Sequence, residues 1–181
     1  MVEVGIFTIV VSGPGIPSVV VLAQKDSIAS IMDDSVAASL APQVLPIWIG
    51  HSEAEAIMLL LGDKPHPRPL TYDLLANVVG MLGSKVEHVV IDRVEESTFY
   101  ATINLTRDGR PIQVDARPSD SIALAVCTGA QIFVDEDVMN AAAHPLRVKL
   151  SDAGELLYGT EDEVDRFHSF IETLSPEDFT L

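Results

Sequence analysis

The sequence predicts an α+β protein: a mixed, largely antiparallel sheet with helices packed on it, followed by a C-terminal amphipathic helix. Three observations carry that expectation. Runs rich in β-branched residues are joined by hairpin-type turns, most clearly at Asp108-Gly109, where both residues suit a tight two-residue connection. Apolar residues at helical spacing stop at Gly62, Gly83 and Gly129, as helices that end on a glycine do. Strands and helices are interspersed with hairpins rather than alternating regularly, which argues against a doubly wound sheet. Of 181 residues, 48% are hydrophobic, so a chain of this length can bury a substantial core.

Residues 2–11 and 18–24 read as strands joined by the Gly- and Pro-rich turn at 12–17. Residues 26–43 read as a loop with one helical turn. Residues 44–49 form a short buried strand in which Pro46 implies an edge or a bulge. After Gly50, Ser52 and Glu55 have capping-box spacing for a helix carrying Ala54, Ile57, Met58 and Leu61. A proline-stiffened loop follows at 63–69. Thr71 suits the cap of the next helix, whose expected core face is Leu74, Leu75, Val78, Val79 and Leu82. Strands are expected at 86–94, 98–106, 111–116 and 131–134. A helix runs from Pro118 to about Thr128, and a short one over 135–143 has acidic residues at its positive end.

The domain reading is a main unit at 1–145 and an acidic tail at 146–181, with Val164, Phe167, Phe170, Ile171 and Leu174 on one face of a tail helix. Residues 151–181 hold nine acids against one base, Arg166, which is half of the net charge of −16. A field of that sign does not gather nucleic acid, so any such role rests on a local site. Apolar runs fall short of a membrane span, and the N-terminal residues lack a signal-peptide pattern; the expected location is cytoplasmic. The one cysteine, Cys127, sits in an apolar helical run and excludes both an intrachain disulfide and a thiolate zinc cluster. Neither a glycine-rich phosphate loop nor an HExxH pattern is present, and the five histidines are scattered without ligand spacing.

Two segments are alike. Arg68-Pro69 and Arg117-Pro118 each stand at an expected helix start, with a hydroxyl residue (Thr71, Ser119) and an aspartate (Asp73, Asp120) close behind. Proline suits the first helical turn, an open helix N-terminus attracts anions, and arginine offers a planar fork matched to phosphate or carboxylate. With Asp115 and Glu53, these aspartates supply hard oxygen donors suited to Mg²⁺ or Mn²⁺. Ordinary helix capping with arginine–aspartate pairing explains the same spacing, and both readings stand at this level.

Several ordered motifs give a family resemblance over about residues 44–143. They are Leu45-Pro46-Ile47-Trp48-Ile49-Gly50, Glu53-Ala54 with Ile57, Pro67-Arg68-Pro69-Leu70-Thr71 with Asp73-Leu74, and Asp115-Ala116-Arg117-Pro118-Ser119-Asp120 with the run Ile122-Ala123-Leu124-Ala125. Together they resemble the bifunctional nuclease family. The resemblance implies an α+β fold that commonly forms homodimers, and activity on RNA and DNA. The chain departs from the family pattern at Tyr72, where histidine is usual. The expectation drawn from motif and resemblance is a nuclease that hydrolyses phosphodiester bonds. In it Asp73, Asp115, Asp120 and Glu53 are catalytic, and Asp73 and Asp120 ligate Mg²⁺ or Mn²⁺. Arg68, Arg117, Thr71 and Ser119 hold the phosphate, and no organic cofactor takes part. The alternative is a non-enzymatic dimeric module that binds an anionic ligand or a protein partner.

Overall fold

A computed structural model describes residues 1–13, 16–27, 43–62 and 66–145, with the backbone of 148–150 and 156–158. The elements run β1 (Val2–Val10), β2 (Ser18–Gln24), β3 (Gln43–Ile49), α1 (His51–Leu61), α2 (Thr71–Met81), β4 (Ser84–Glu95) and β5 (Thr98–Arg107). Then follow β6 (Arg110–Ala116), α3 (Pro118–Thr128), β7 (Gln131–Val134), α4 (Glu136–Ala142) and the two-residue β8 (His144–Pro145). The larger unit takes in the described residues up to His144. Beyond it, Val148–Leu150 and Leu156–Tyr158 pair as a separate antiparallel ladder. The expected tail helix lies outside the described residues.

The fold is α+β, as expected. Eight strands form one sheet in the order β6-β5-β4-β7-β1-β2-β3-β8. The registered pairings in this sheet are antiparallel except for β4 with β7, which aligns His88 with Gln131 and Ile91 with Val134. The β5–β6 connection is the tight turn expected at Asp108-Gly109, both in the left-handed region at φ 51° and 73°. Its counterpart between β4 and β5 uses Glu96 and Ser97, also left-handed, although neither residue advertises that conformation in sequence.

α3 is the central helix. Ser121, Ile122, Ala123, Leu124 and Ala125 are essentially inaccessible. Its small residues admit close neighbours, and it packs against both α1 and α2 as well as β4 and β5. Burial of Ile122 and Leu124 contributes about 1.5–3 kcal/mol each. Gly129 stops the helix in a left-handed C-cap at φ 70°, as expected.

α2 corrects the sequence reading. No residue of this helix is fully buried; Tyr72, Ala76 and Val79 form the face that packs on the core. Leu74, Leu75, Val78 and Leu82, expected inside with Val79, are exposed. Helical spacing identifies an apolar stripe but not what covers it.

Candidate functional site

Each of α1, α2 and α3 carries an acid at its third position, and that shared position organises the site. α1 begins after Gly50, with Glu53 third; α2 begins after Leu70, with Asp73 third; α3 begins after Arg117, with Asp120 third. A carboxylate in the first turn offsets the partial positive charge of a helix N-terminus. The three carboxylates nonetheless do different things.

Asp120 faces its own N-cap residue. Arg117 Nε donates to Asp120 Oδ2 at 2.7 Å and Nη2 donates to Oδ1 at 3.1 Å, a fork on a carboxylate. The remaining guanidinium nitrogen, Nη1, donates to Glu53 Oε1 at 3.0 Å, tying the start of α3 to the start of α1. The Tyr72 hydroxyl donates to Asp120 Oδ1 at 2.8 Å, bringing in the start of α2. Three helix N-termini therefore meet at one guanidinium–carboxylate cluster. Arg117 is 64% exposed at the cluster's open side, while Asp120 and Glu53 are 30% and 22% exposed.

Glu53 reaches this place because of Gly50. A Cβ on Gly50 would lie 2.1 Å from Glu53 Oε2, so the side chain folds back over the space that glycine leaves open. The backbone there, at φ −64° and ψ 155°, suits any residue; room for the carboxylate is what calls for glycine. The capping box expected from Ser52 and Glu55 does not form, because the N-cap is Gly50, two residues earlier, with no side-chain cap hydrogen bond. The helix starts at His51, and Glu55 instead lies 3.4 Å from His51 Nε2.

Electrostatics follow from these contacts. Burial pushes the Asp120 carboxyl up, but the bonds from Arg117 and Tyr72 outweigh it and hold it below the usual carboxylate range. The Arg117 guanidinium is held more firmly protonated, first by its bond to Asp120. Burial, then the bond to Asp120, raises the Tyr72 phenol. At neutral pH this is a neutral donor beside an ion pair.

Asp73 is engaged elsewhere. Its Oδ2 accepts the Leu70 N–H at 2.8 Å and its Oδ1 accepts the Cys127 thiol at 3.4 Å. Burial and this contact push the thiol up to about 11, so Cys127 is protonated and unreactive at neutral pH. Asp115 is exposed on β6, opposite Thr102 of β5. Thr71 is exposed at the first position of α2 rather than capping it, and Ser119 is buried. Arg68 lies outside its helix. It is exposed and makes no hydrogen bond or ion pair among the described residues, and it lines an open groove of about 410 Å³ with His66, Asp73, Asn77 and Cys127. Of the candidates named from sequence, the structure joins Glu53, Asp120 and Arg117 in direct contact. Asp73, Asp115, Arg68, Thr71 and Ser119 have the other surroundings just described. Among the described residues no group of three or more His, Cys, Asp or Glu side chains is arranged to hold a metal ion. The bond from Tyr72 to Asp120, 48 positions away, has no sequence signal.

Glu53, Arg117 and Asp120 of this cluster belong to the ordered motifs, and Tyr72 stands where the chain departs from them. A family model described as the bifunctional nuclease domain matches residues 36–147, more than half of the chain. The chain belongs to the bifunctional nuclease domain family. An uncharacterised protein of Mycobacterium tuberculosis, present in two strains, is 44% identical over 135 residues, covering 75% of this chain and 80% of the relative. The family match takes in α1, α2 and α3 whole, and with them every residue of the Arg117 cluster. Among the described residues no helix is long and apolar enough to cross a membrane.

Proposed function

We propose that this chain is a nuclease that hydrolyses phosphodiester bonds of RNA or DNA, with its centre at Arg117. The observation that carries this reading is the meeting of three helix N-termini at one exposed arginine. Helix N-termini and a guanidinium both favour a phosphate, and here they share one small surface. The chain's overall negative charge requires such a local device.

In this mechanism Arg117 turns from Asp120 to the phosphate and offsets charge as the attacking oxygen bonds to phosphorus. The released Asp120 carboxylate, or Glu53 beside it, takes the proton of the attacking water, and the leaving oxygen departs with its bonding pair. Tyr72, a neutral phenol where the family pattern has histidine, orients Asp120 and takes no proton. Asp120, once released, is the residue that would hold Mg²⁺ or Mn²⁺, which is commonly bound by one or two carboxylates completed by water and substrate phosphate, and Glu53 is then the proton acceptor. Such an ion supplies Lewis acidity and a more acidic bound water.

Purified protein is expected to cleave single-stranded RNA or DNA with Mg²⁺ or Mn²⁺ and to stop with EDTA. Arg117→Ala and Asp120→Asn are expected to lower the rate roughly 100-fold or more. Folded variants that cut as fast as the wild type would assign the cutting to a contaminant.

One observation favours a second reading, a non-enzymatic module binding an anionic ligand or protein partner. All three guanidinium nitrogens of Arg117 already hold the protein's own carboxylates. If the cluster only ties helices, wild-type protein lacks metal-dependent cleavage and Arg117→Ala changes the melting temperature alone.

A further inference from the structure

Arg117 commits all three of its guanidinium nitrogens to the protein's own carboxylates, whereas Arg68 is exposed and has no hydrogen bond or ion pair among the described residues. Arg68 does not stand alone. His66 and Asn77 line the same open groove of about 410 Å³, and their side chains are likewise unbonded among the described residues. A guanidinium offers a fork of N–H groups, a carboxamide two and an imidazole at least one. The acid in the groove is Asp73, and both of its oxygens are engaged, Oδ2 by the Leu70 N–H and Oδ1 by the Cys127 thiol. What remains is a set of unused donors around one permanent positive charge, which is the lining an anion requires.

The distance from this groove to the Arg117 cluster follows from α3. Tyr72 bonds Asp120, and the next residue, Asp73, bonds Cys127. Asp120 and Cys127 are two turns apart on one face of α3, so they stand about 10 Å apart along its axis. Successive phosphates of a strand in helical form advance about 3.4 Å each. That separation suits two phosphates of one strand better than one phosphate held by both arginines.

We infer that Arg68, with His66 and Asn77, grips a second, unreacting phosphate of a single strand, about two to three nucleotides from the phosphate at Arg117. The sequence expectation set both arginines on one phosphate; the fold separates them. The inference rests on a strand reaching Arg117, and it narrows the substrate from any phosphodiester to an oligonucleotide long enough to span both places. A single strand also suits the charge balance, because a duplex brings twice the phosphate charge per unit length to a chain of net charge −16.

The test is binding without cleavage: fluorescence anisotropy of a labelled single-stranded hexanucleotide in EDTA, with salt varied over roughly 20–200 mM. Wild type is expected to bind it roughly 10-fold more tightly than a labelled dinucleotide, which cannot span both places, and Arg68→Ala is expected to abolish that difference. The slope of log affinity against log salt is expected to flatten by about 0.7 in Arg68→Ala, the value of one phosphate contact on a single strand, and to persist in Arg68→Lys. Asn77→Ala removes a donor and no charge, so it is expected to weaken hexanucleotide binding about 3-fold at an unchanged slope. Arg110→Ala, at an exposed arginine on the edge strand β6, is expected to change neither quantity. Equal affinity and slope in wild type and Arg68→Ala overturn the inference. So does a wild type that fails to bind the hexanucleotide or does not prefer it, or an equal loss in Arg110→Ala. Cleavage is read separately: Arg68-dependent binding by a protein that cuts nothing would end the nuclease reading and leave the groove's role standing.

Discussion

The two Arg-Pro dipeptides look alike in sequence and part company in the fold. In α3 the arginine is the N-cap residue and Pro118 the first helical residue, so the guanidinium stands over the helix start and is gripped by Asp120. In α2 the helix begins at Thr71, which leaves Pro69 outside the helix and Arg68 one residue further out, exposed beside a groove. The aspartates are at the same helical position in both, but with no side chain to grip at Leu70, Asp73 takes the backbone N–H instead. The dipeptide does not set the function of its arginine; the register of the helix behind it does.

The largest expected effect that separates the two starts is at Asp120. Replacing Asp120 with Ala removes both arms of the Arg117 fork and the acceptor of Tyr72. It is expected to cost about 1–2 kcal/mol, discounted for partial exposure, or a fall in melting temperature of about 3–6 °C. The pH dependence has a definite sign. A carboxyl held low in the folded state stabilises above its unfolded value, and that contribution is lost as pH falls through the lowered folded value. Wild type is therefore expected to lose its advantage over Asp120→Ala below about pH 4, read from melts in acid. An undiminished gap at lower pH would mean that Arg117 is held by something other than Asp120.

Next in size is the equivalent change in α2. Asp73→Ala leaves the Leu70 N–H without its acceptor and is expected to cost about 1 kcal/mol. It is also expected to shift the Cys127 thiol part of the way down from about 11, since burial remains and the carboxylate does not. Thiol reactivity followed against pH reads that shift. An unmoved titration would detach Asp73 from the groove.

The smallest effect on stability is expected at Gly50→Ala. The new methyl displaces the Glu53 carboxylate and breaks one bond to Arg117, yet the backbone accepts alanine and gains from it in the unfolded state. Melting should stay within about 2 °C of wild type, because the lost contact is partly exposed. A loss of cleavage at that near-constant stability would make Glu53 part of the chemistry; a large loss of stability would instead make it a structural tie.

Much of the fold was legible because local chemistry fixes it. Gly83, Gly109 and Gly129 are left-handed where turns and helix ends were expected, and Pro118 opens α3. The bounds of β7 and α3 match their expected residues. What escaped depends on distant partners. The outer stripe of α2 has the same periodicity as a core face, so spacing could not tell inside from outside. The start of α1 was placed two residues late because Ser52 and Glu55 have the spacing of a capping box, while the glycine that sets the start has no side chain to announce it. The link from Arg117 to Glu53 spans 64 positions and has no local signature. Sequence proposed an anion site with four carboxylates; the structure places two of them on one arginine.

The four residues of β7 also govern how this sheet comes into being. β7 lies between β4 and β1, pairing parallel with the first and antiparallel with the second, and it aligns Val134 with Val2. The meander of β4, β5 and β6 closes through short turns and can form early. Among the described residues, β1, β2 and β3 join it in the sheet through β7, and α3 must first be laid down to deliver that strand. During synthesis one side of β1 therefore stays an open edge until residue 134 has emerged, and closing it spans nearly the whole larger unit. The last core strand to be made is the one that joins the two halves of the sheet.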